Sequence, residues 1–294
     1  MSSSKRGSRN WARAVSGLAG AVLSTGVAAQ AAPAVADTPV VVAAAPDELR
    51  ICAAQSEAPY SFKDESGLEN RIAKIVADTM HKKPVFVWAD KAAIYLVRDY
   101  LDKNLCDVVM GVDADDPRVA TTRPYYRSGY VFVSRADRNF EVDNWGSDRF
   151  AGVSKFAVGL GSPAEAMLKA IGKYENNLNY MYSLVNFRSP RNQYIRVDPA
   201  RMVNEVANGT ADLAIAFGPE VARYVKSSPV PLRMALVPRD TVPDNEGKRI
   251  EFQYAESMAV RRGDRDLQAA LDAAVEKAAP RIRQVLIDEG VPLI

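Results

Sequence analysis

Arg123 and Arg127 frame a turn that also carries Tyr125, Tyr126 and Tyr130. Side chains of these two types, packed this closely, build either a ligand wall or a protein-docking patch, because Tyr and Arg carry much of the energy at interfaces. A packed hinge is the plainer use of at least one of the tyrosines. Catalytic constellations are poor by comparison. His81 is the sole histidine, set at a helix end beside Lys82 and Lys83, and reads as a surface residue near a helix C-terminus. One histidine and two cysteines, Cys52 and Cys106, do not make a metal site. Asp113, Asp115 and Asp116 lack the glycine and distal glutamate of a calcium loop, so a solvated acidic turn is expected there. No glycine-rich phosphate loop follows the first strand, which disfavours nucleotide binding. The chemistry on offer is recognition.

These residues need elements to hold them. Leu49–Cys52 reads as a first strand, and 53–67 as a loop carrying Pro59, Tyr60 and Phe62. Leu68, Ile72, Ile75, Val76 and Met80 fall at helical spacing. A second strand over Pro84–Trp88, a second helix over Ala93–Leu101 and a third strand over Cys106–Val112 follow. The second half repeats the order: a strand over Phe156–Leu160, a helix capped by Ser162 with Pro163 at its first position, a helix over Arg201–Asn208, and a buried strand over Ala211–Phe217 stopped by Gly218 and Pro219. Asp107 and Asp212 each sit between a polar turn and an apolar strand. Phe252–Arg261 reads as a strand, and Asp266–Gly290 as helix with a break at Pro280.

Strands alternating with helices argue for βαβ units and a mostly parallel sheet in each of two lobes. The simplest division is 47–134 plus 253–294 for lobe one and 135–252 for lobe two, with hinge crossings near Val131–Arg135 and Gln253–Val260. Tyr60 and Phe62, past the first strand, should face the opening, since open α/β sheets bind beyond their strand C-termini. Ser162 offers a generic anion site at a helix N-terminus, with plain capping as the alternative.

Lys5, Arg6, Arg9 and Arg13 precede an apolar run of small residues over 14–29 and the small-x-small pattern Ala34-Val35-Ala36. This reads as a secretory signal peptide over 1–36, cut after Ala36 or at the second candidate around Ala29-Gln30-Ala31, with a flexible lead-in over 37–46. The formal charge of +2 then becomes −2, because the leader holds four basic groups and no acids. No basic stripe for nucleic acid remains. An exported chain meets an oxidising compartment, so Cys52 and Cys106 are read as a disulfide between neighbouring strands, with two buried thiols as the alternative.

The order of elements resembles the type II periplasmic solute-binding proteins over nearly the whole mature chain. Four segments narrow the likeness: Leu49-Arg50-Ile51-Cys52-Ala53, Glu69-Asn70-Arg71-Ile72-Ala73, Cys106-Asp107-Val108-Val109-Met110-Gly111-Val112, and Thr121-Thr122-Arg123-Pro124-Tyr125-Tyr126-Arg127-Ser128. Together they resemble the J proteins of bacterial methanol oxidation clusters. The resemblance implies a periplasmic, non-catalytic accessory that helps a pyrroloquinoline quinone-dependent methanol dehydrogenase, or its lanthanide-dependent counterpart, to assemble or become active. No cofactor is expected, and the short apolar run over 14–29, with no cysteine directly after it, argues for export without a membrane anchor. A transport receptor closing on a small solute is the alternative. Amino-acid-binding relatives clamp the ligand carboxylate with an arginine ahead of the Pro-Tyr turn, and Arg118 is the nearest match. Its interval to Pro124 is short, however, and Asp115 and Asp116 stand beside it. A surface pair with one of those acids is therefore expected instead. Some enzymes have recruited this fold, and a dehydratase would need Glu57 or Glu69 as its general acid.

Overall fold

The computed structural model describes residues 45–138, 140–185, 196–239, 243 and 247–294. The expected signal peptide and most of the lead-in lie outside these residues. The first half builds β1 (Glu48–Ala54), the short pair β2 (Ser56–Glu57) and β3 (Ser61–Phe62), helix α1 (Leu68–Thr79), β4 (Lys83–Ala89), β5 (Val108–Asp113), β6 (Ala120–Thr121) and β7 (Tyr126–Arg135). There follow β8 (Phe156–Val158), α2 (Pro163–Ala170), α3 (Tyr174–Ser183), α4 (Pro199–Ala207), β9 (Leu213–Phe217), α5 (Gly218–Lys226), β10 (Leu232–Leu236), β11 (Gln253–Val260) and α6 (Arg265–Glu289).

Strands β4, β1 and β5 are parallel, as are β8 and β9. Between them run β7 and β11, which pair antiparallel with each other and with their neighbours. The sheet is therefore mixed and not mostly parallel. The chain goes out along β7 and comes back along β11, so these two adjacent strands must oppose each other. Within β7, Tyr126–Gly129 pairs with β11, Tyr130–Val133 pairs with β9, and Val131–Arg135 pairs with β10 on the other edge.

Each lobe has its own core. Leu49, Ile51, Ile72, Val76, Val108, Met258, Leu271 and Ile282 pack around β1, β5, α1 and α6. Phe132, Trp145, Phe150, Phe156, Met167, Leu213 and Ile215 pack around β8 and β9. The two strand-leading aspartates lock these sheets. Asp107 accepts from the Arg50 backbone N–H (3.0 Å) and from Arg50 Nη2 (2.6 Å), tying the start of β5 to β1. Asp212 accepts from Ser154 N (2.9 Å), Ser154 Oγ (2.7 Å) and Lys155 N (3.1 Å), tying β9 to the approach to β8. Burial pushes each carboxyl up, but the hydrogen bonds outweigh it and hold both below the ordinary value. Cys52 and Cys106 form a disulfide with Cα atoms 5.5 Å apart, beside the same β1–β5 pairing.

Three local expectations are corrected. Residues 93–101 form a 3₁₀ turn (Ala93–Tyr95) and then a π turn (Val97–Leu101), not one α-helix. Gly218 and Pro219 do stop β9, but they also open α5, because proline suits the first turn, whose N–H groups lack helical partners anyway. A Cβ on Gly218 would stand 2.4 Å from Pro292 Cγ, so this helix start needs glycine to lie against the C-terminal segment. Finally, α6 runs unbroken through Pro280. Its stripe of Leu271, Val275, Ala278, Ile282 and Leu286 is buried, and that burial offsets a proline cost of about 3 kcal/mol.

Candidate functional site

Between the lobes lies a cavity of about 300 Å3 whose wall is acidic: Glu57, Glu69, Glu220 and Glu256 line it, with Asp113 and Asp116 at the margin. A second cavity of about 220 Å3, lined by Tyr130, Gly161 and Ser162, shares Arg196 and Glu220 with the first. The local sequence explains how these groups arrive. Gly67 gives α1 no side-chain cap, so the first-turn N–H groups of Leu68 and Glu69 donate to Pro59 O (3.1 Å) and Tyr60 O (2.8 Å). Asn70, 1% exposed, accepts from Phe62 N (2.9 Å) and donates to Ser61 Oγ (3.1 Å). The loop after β1 is thereby fastened over the helix that presents Glu69.

Gly111 interrupts the buried run of β5 at φ +64°, and a Cβ there would lie 1.9 Å from Glu69 Oε1. Glycine at this position is what admits the carboxyl. Gly111 N donates to Tyr125 Oη (3.0 Å). Burial, then the neighbouring Glu256 and Glu57, pushes the Glu69 carboxyl up to about 8. Burial together with Asp113 and Glu220 pushes Glu256 up to about 7. Glu220 is raised for the same first reason.

Arg196, just ahead of α4, donates from Nη1 to Glu57 Oε1 and from Nη2 to the Ala58 carbonyl (2.7 Å), and its Nη2 lies 3.5 Å from Glu220 Oε1. Glu57 is steadied from its other side, where Oε2 accepts from Ala93 N (3.1 Å). Elsewhere α5 bridges the lobes through Arg223, which donates to both oxygens of Glu289 (2.7 and 2.8 Å). Arg71 reaches the same carboxylate (2.8 Å).

The side chains singled out in the sequence are distributed over five places. Tyr60 and Arg118 line the acidic cavity. Arg118 is bound to Asp116 through Nε (3.0 Å) and Nη2 (2.6 Å), as the surface-pair reading expects. Tyr130 and Ser162 line the second cavity, with Ser162 capping α2 by accepting from Glu165 N. Tyr125 and Tyr126 are 8% and 6% exposed within the lobe-one core, the packed-hinge reading. Phe62 lies outside both cavities, with the Arg223 guanidinium 5.9 Å from its ring centre. Arg123 and Arg127 face a separate groove of about 990 Å3, shared with Arg239, Arg249, Glu251 and Tyr254. Sequence reasoning missed Arg196, Glu220 and Glu256. For Glu256 a signal exists: it is an acid inside a strand whose other residues are apolar or small from Ala255 to Val260.

Two lobes, each a sheet flanked by helices, joined by antiparallel crossing strands with a cavity between, define the type II periplasmic-binding-protein fold. A solved structure of the periplasmic binding protein XoxJ from Methylobacterium extorquens superposes with a TM-score of 0.61 at 25% identity, over 84% of this chain and 99% of that one. The crystal structure of MxaJ from Methlophaga aminisulfidivorans gives a TM-score of 0.79 at 51% identity, over 84% of this chain and 100% of that one. Protein MoxJ of Methylorubrum extorquens is 52% identical over 295 aligned positions, covering 98% of this chain and 97% of that protein. No family model matches the chain. The chain belongs to the MoxJ family. With that membership go the periplasmic location and the non-catalytic, accessory place in methanol oxidation that the four sequence segments implied. No helix among the described residues is long and apolar enough to cross a membrane.

Proposed function

We propose that this chain assists the assembly or activation of a pyrroloquinoline quinone-dependent methanol dehydrogenase, or of its lanthanide-dependent counterpart, by docking on the dehydrogenase subunits. The observation that carries this reading is the 52% identity to MoxJ along essentially the whole chain. The acting body is the two-lobed unit, lobe one being 47–134 with 253–294 and lobe two 135–252. Docking falls on the rim of Arg123 and Arg127. Both are exposed, and the groove they share with Arg239 and Arg249 is about three times the volume of the interlobe cavity. Guanidinium groups beside Tyr254 suit the anionic and aromatic side chains of a protein partner better than a small solute.

The test is a pull-down from methanol-grown cells with the tagged wild-type chain and with Arg123→Glu/Arg127→Glu. The wild type should recover dehydrogenase subunits and the double variant should lose most of them, while its thermal unfolding stays near the wild type's. Recovery of no subunit by the wild type, together with undiminished methanol oxidation in a deletion strain, overturns the proposal.

A further inference from the structure

We propose that the acidic cavity between the lobes is a guanidinium-binding site whose resident occupant is the chain's own Arg196.

A guanidinium is a planar fork of donors, and what receives it must offer acceptors on more than one side. Here the fork meets the Glu57 carboxylate and the Ala58 carbonyl from lobe one, and the Glu220 carboxylate from lobe two. Two of the receiving groups are also held from elsewhere. Glu57 is 8% exposed and is held on its far oxygen by the Ala93 N–H. The Ala58 carbonyl belongs to the loop that α1 fastens through Leu68 and Glu69.

A second observation points to a cation independently of Arg196. Glu256, 8% exposed, lines the same cavity, and its carboxyl has no hydrogen-bond or ion-pair partner among the described residues. A buried acid without a partner costs stability and calls for a donor inside the space it faces. Glu69 lines the same cavity. Arg196 therefore satisfies part of the wall and leaves the rest. A guest of matching chemistry, an alkylguanidine or the end of another arginine, fits the site but must displace the resident side chain.

The experiment uses the full mature chain with Arg196→Ala and ethylguanidinium chloride as probe, read by calorimetric titration and thermal shift at constant ionic strength. Urea serves as the neutral analogue and ethylammonium as the non-forked cation. Arg196→Ala should bind ethylguanidinium saturably, about tenfold tighter than ethylammonium, and should not respond to urea at the same concentration. The wild type should bind it far more weakly, and Arg196→Ala/Glu57→Gln should lose the binding. Equal binding by wild type and Arg196→Ala, no saturable binding by a folded Arg196→Ala, or full binding by the double variant overturns the proposal. Should Arg196→Ala not fold, the Arg196 side-chain NMR signal of the wild type decides. A signal with hindered rotation that Glu57→Gln sets free supports the site, and a freely rotating one in the wild type overturns it.

Discussion

Replacing Glu256 by glutamine should make the protein more stable at neutral and alkaline pH, against the usual direction for a substitution in a buried strand. The folded-state carboxyl sits at about 7, against an ordinary value of 4.5. Burial is the main cause, and the acids Asp113 and Glu220 add to it. The folded protein therefore holds a proton that the unfolded chain has released. Below about pH 4.5 both states are protonated and nothing is lost. Between 4.5 and 7 stability falls as pH rises, because the unfolded chain binds fewer protons, and above 7 the penalty is constant. The displacement corresponds to about 3 kcal/mol at 1.36 kcal/mol per tenfold change in proton affinity. Glutamine has no charge to desolvate and keeps the shape. It also removes the neighbour that, after burial, does most to raise Glu69, so the second carboxyl should descend from about 8. Urea unfolding of the mature chain at about pH 5 and about pH 8 measures both effects. The variant should gain up to about 3 kcal/mol over the wild type at the higher pH and little at the lower. A variant that is less stable at alkaline pH, or that declines with pH as steeply as the wild type, would refute the reasoning.

Two further outcomes follow from the same framework. Asp107→Asn leaves Arg50, 11% exposed at its side chain, without its carboxylate, and should cost about 3 kcal/mol or more in chemical unfolding. Because Asp107 is held below its ordinary value, that difference should be full at neutral pH and shrink as pH falls through the folded-state value. Replacing Cys52 and Cys106 together by serine opens a loop closed across 54 positions, which should lower stability by about 4 kcal/mol on the chain-entropy relation. An unchanged urea midpoint in non-reducing buffer would show that the unfolded chain gains nothing from the cross-link.

Much of the fold is legible in the chain because its signals are local. The 3.6-residue spacing from Leu68 to Met80 marks α1, Ser162 with Pro163 marks the start of α2, and the paired motif around Asp107 and Asp212 marks the entry to β5 and β9. What escaped is settled by tertiary contact. Proline at position 280 reads as a break, but the helix survives because the stripe on its other side is packed against α1. Gly218 reads as a terminator, whereas Pro292, far along the chain, dictates that no side chain fit there. The site divides the same way. The turn at Tyr125 and Tyr126 is visible by composition, but composition does not reveal that both rings turn into the core while Arg123 and Arg127 turn out of it. Arg196 carries no local mark at all. Its meaning comes from Glu57 and Ala58, more than a hundred positions earlier and on the other lobe, and from Glu220 on its own.

The acidic cavity is expensive in stability terms, and that bears on what this fold does here. Glutamine at positions 69, 220 and 256 would fill the same space without the desolvation that raises all three carboxyls. A scaffold selected for stability alone has no use for such a wall. A solute receptor has a use for it, provided the cavity is open to the solute, yet here the chain's own guanidinium already spans Glu57 and Glu220. The α5 contacts of Arg223 with Glu289 hold the lobes together at a second place. A binding-protein fold whose cleft is occupied from within and whose lobes are tied twice presents its outer surface in one arrangement. Recognition of a partner then pays little ordering entropy, which is the physical advantage of a preorganised docking face. The Arg196 bridge between Glu57 and Glu220 thus holds the arrangement that an accessory protein needs, and Glu57→Gln, which takes one carboxylate from Arg196, should loosen the lobes and lower thermal stability.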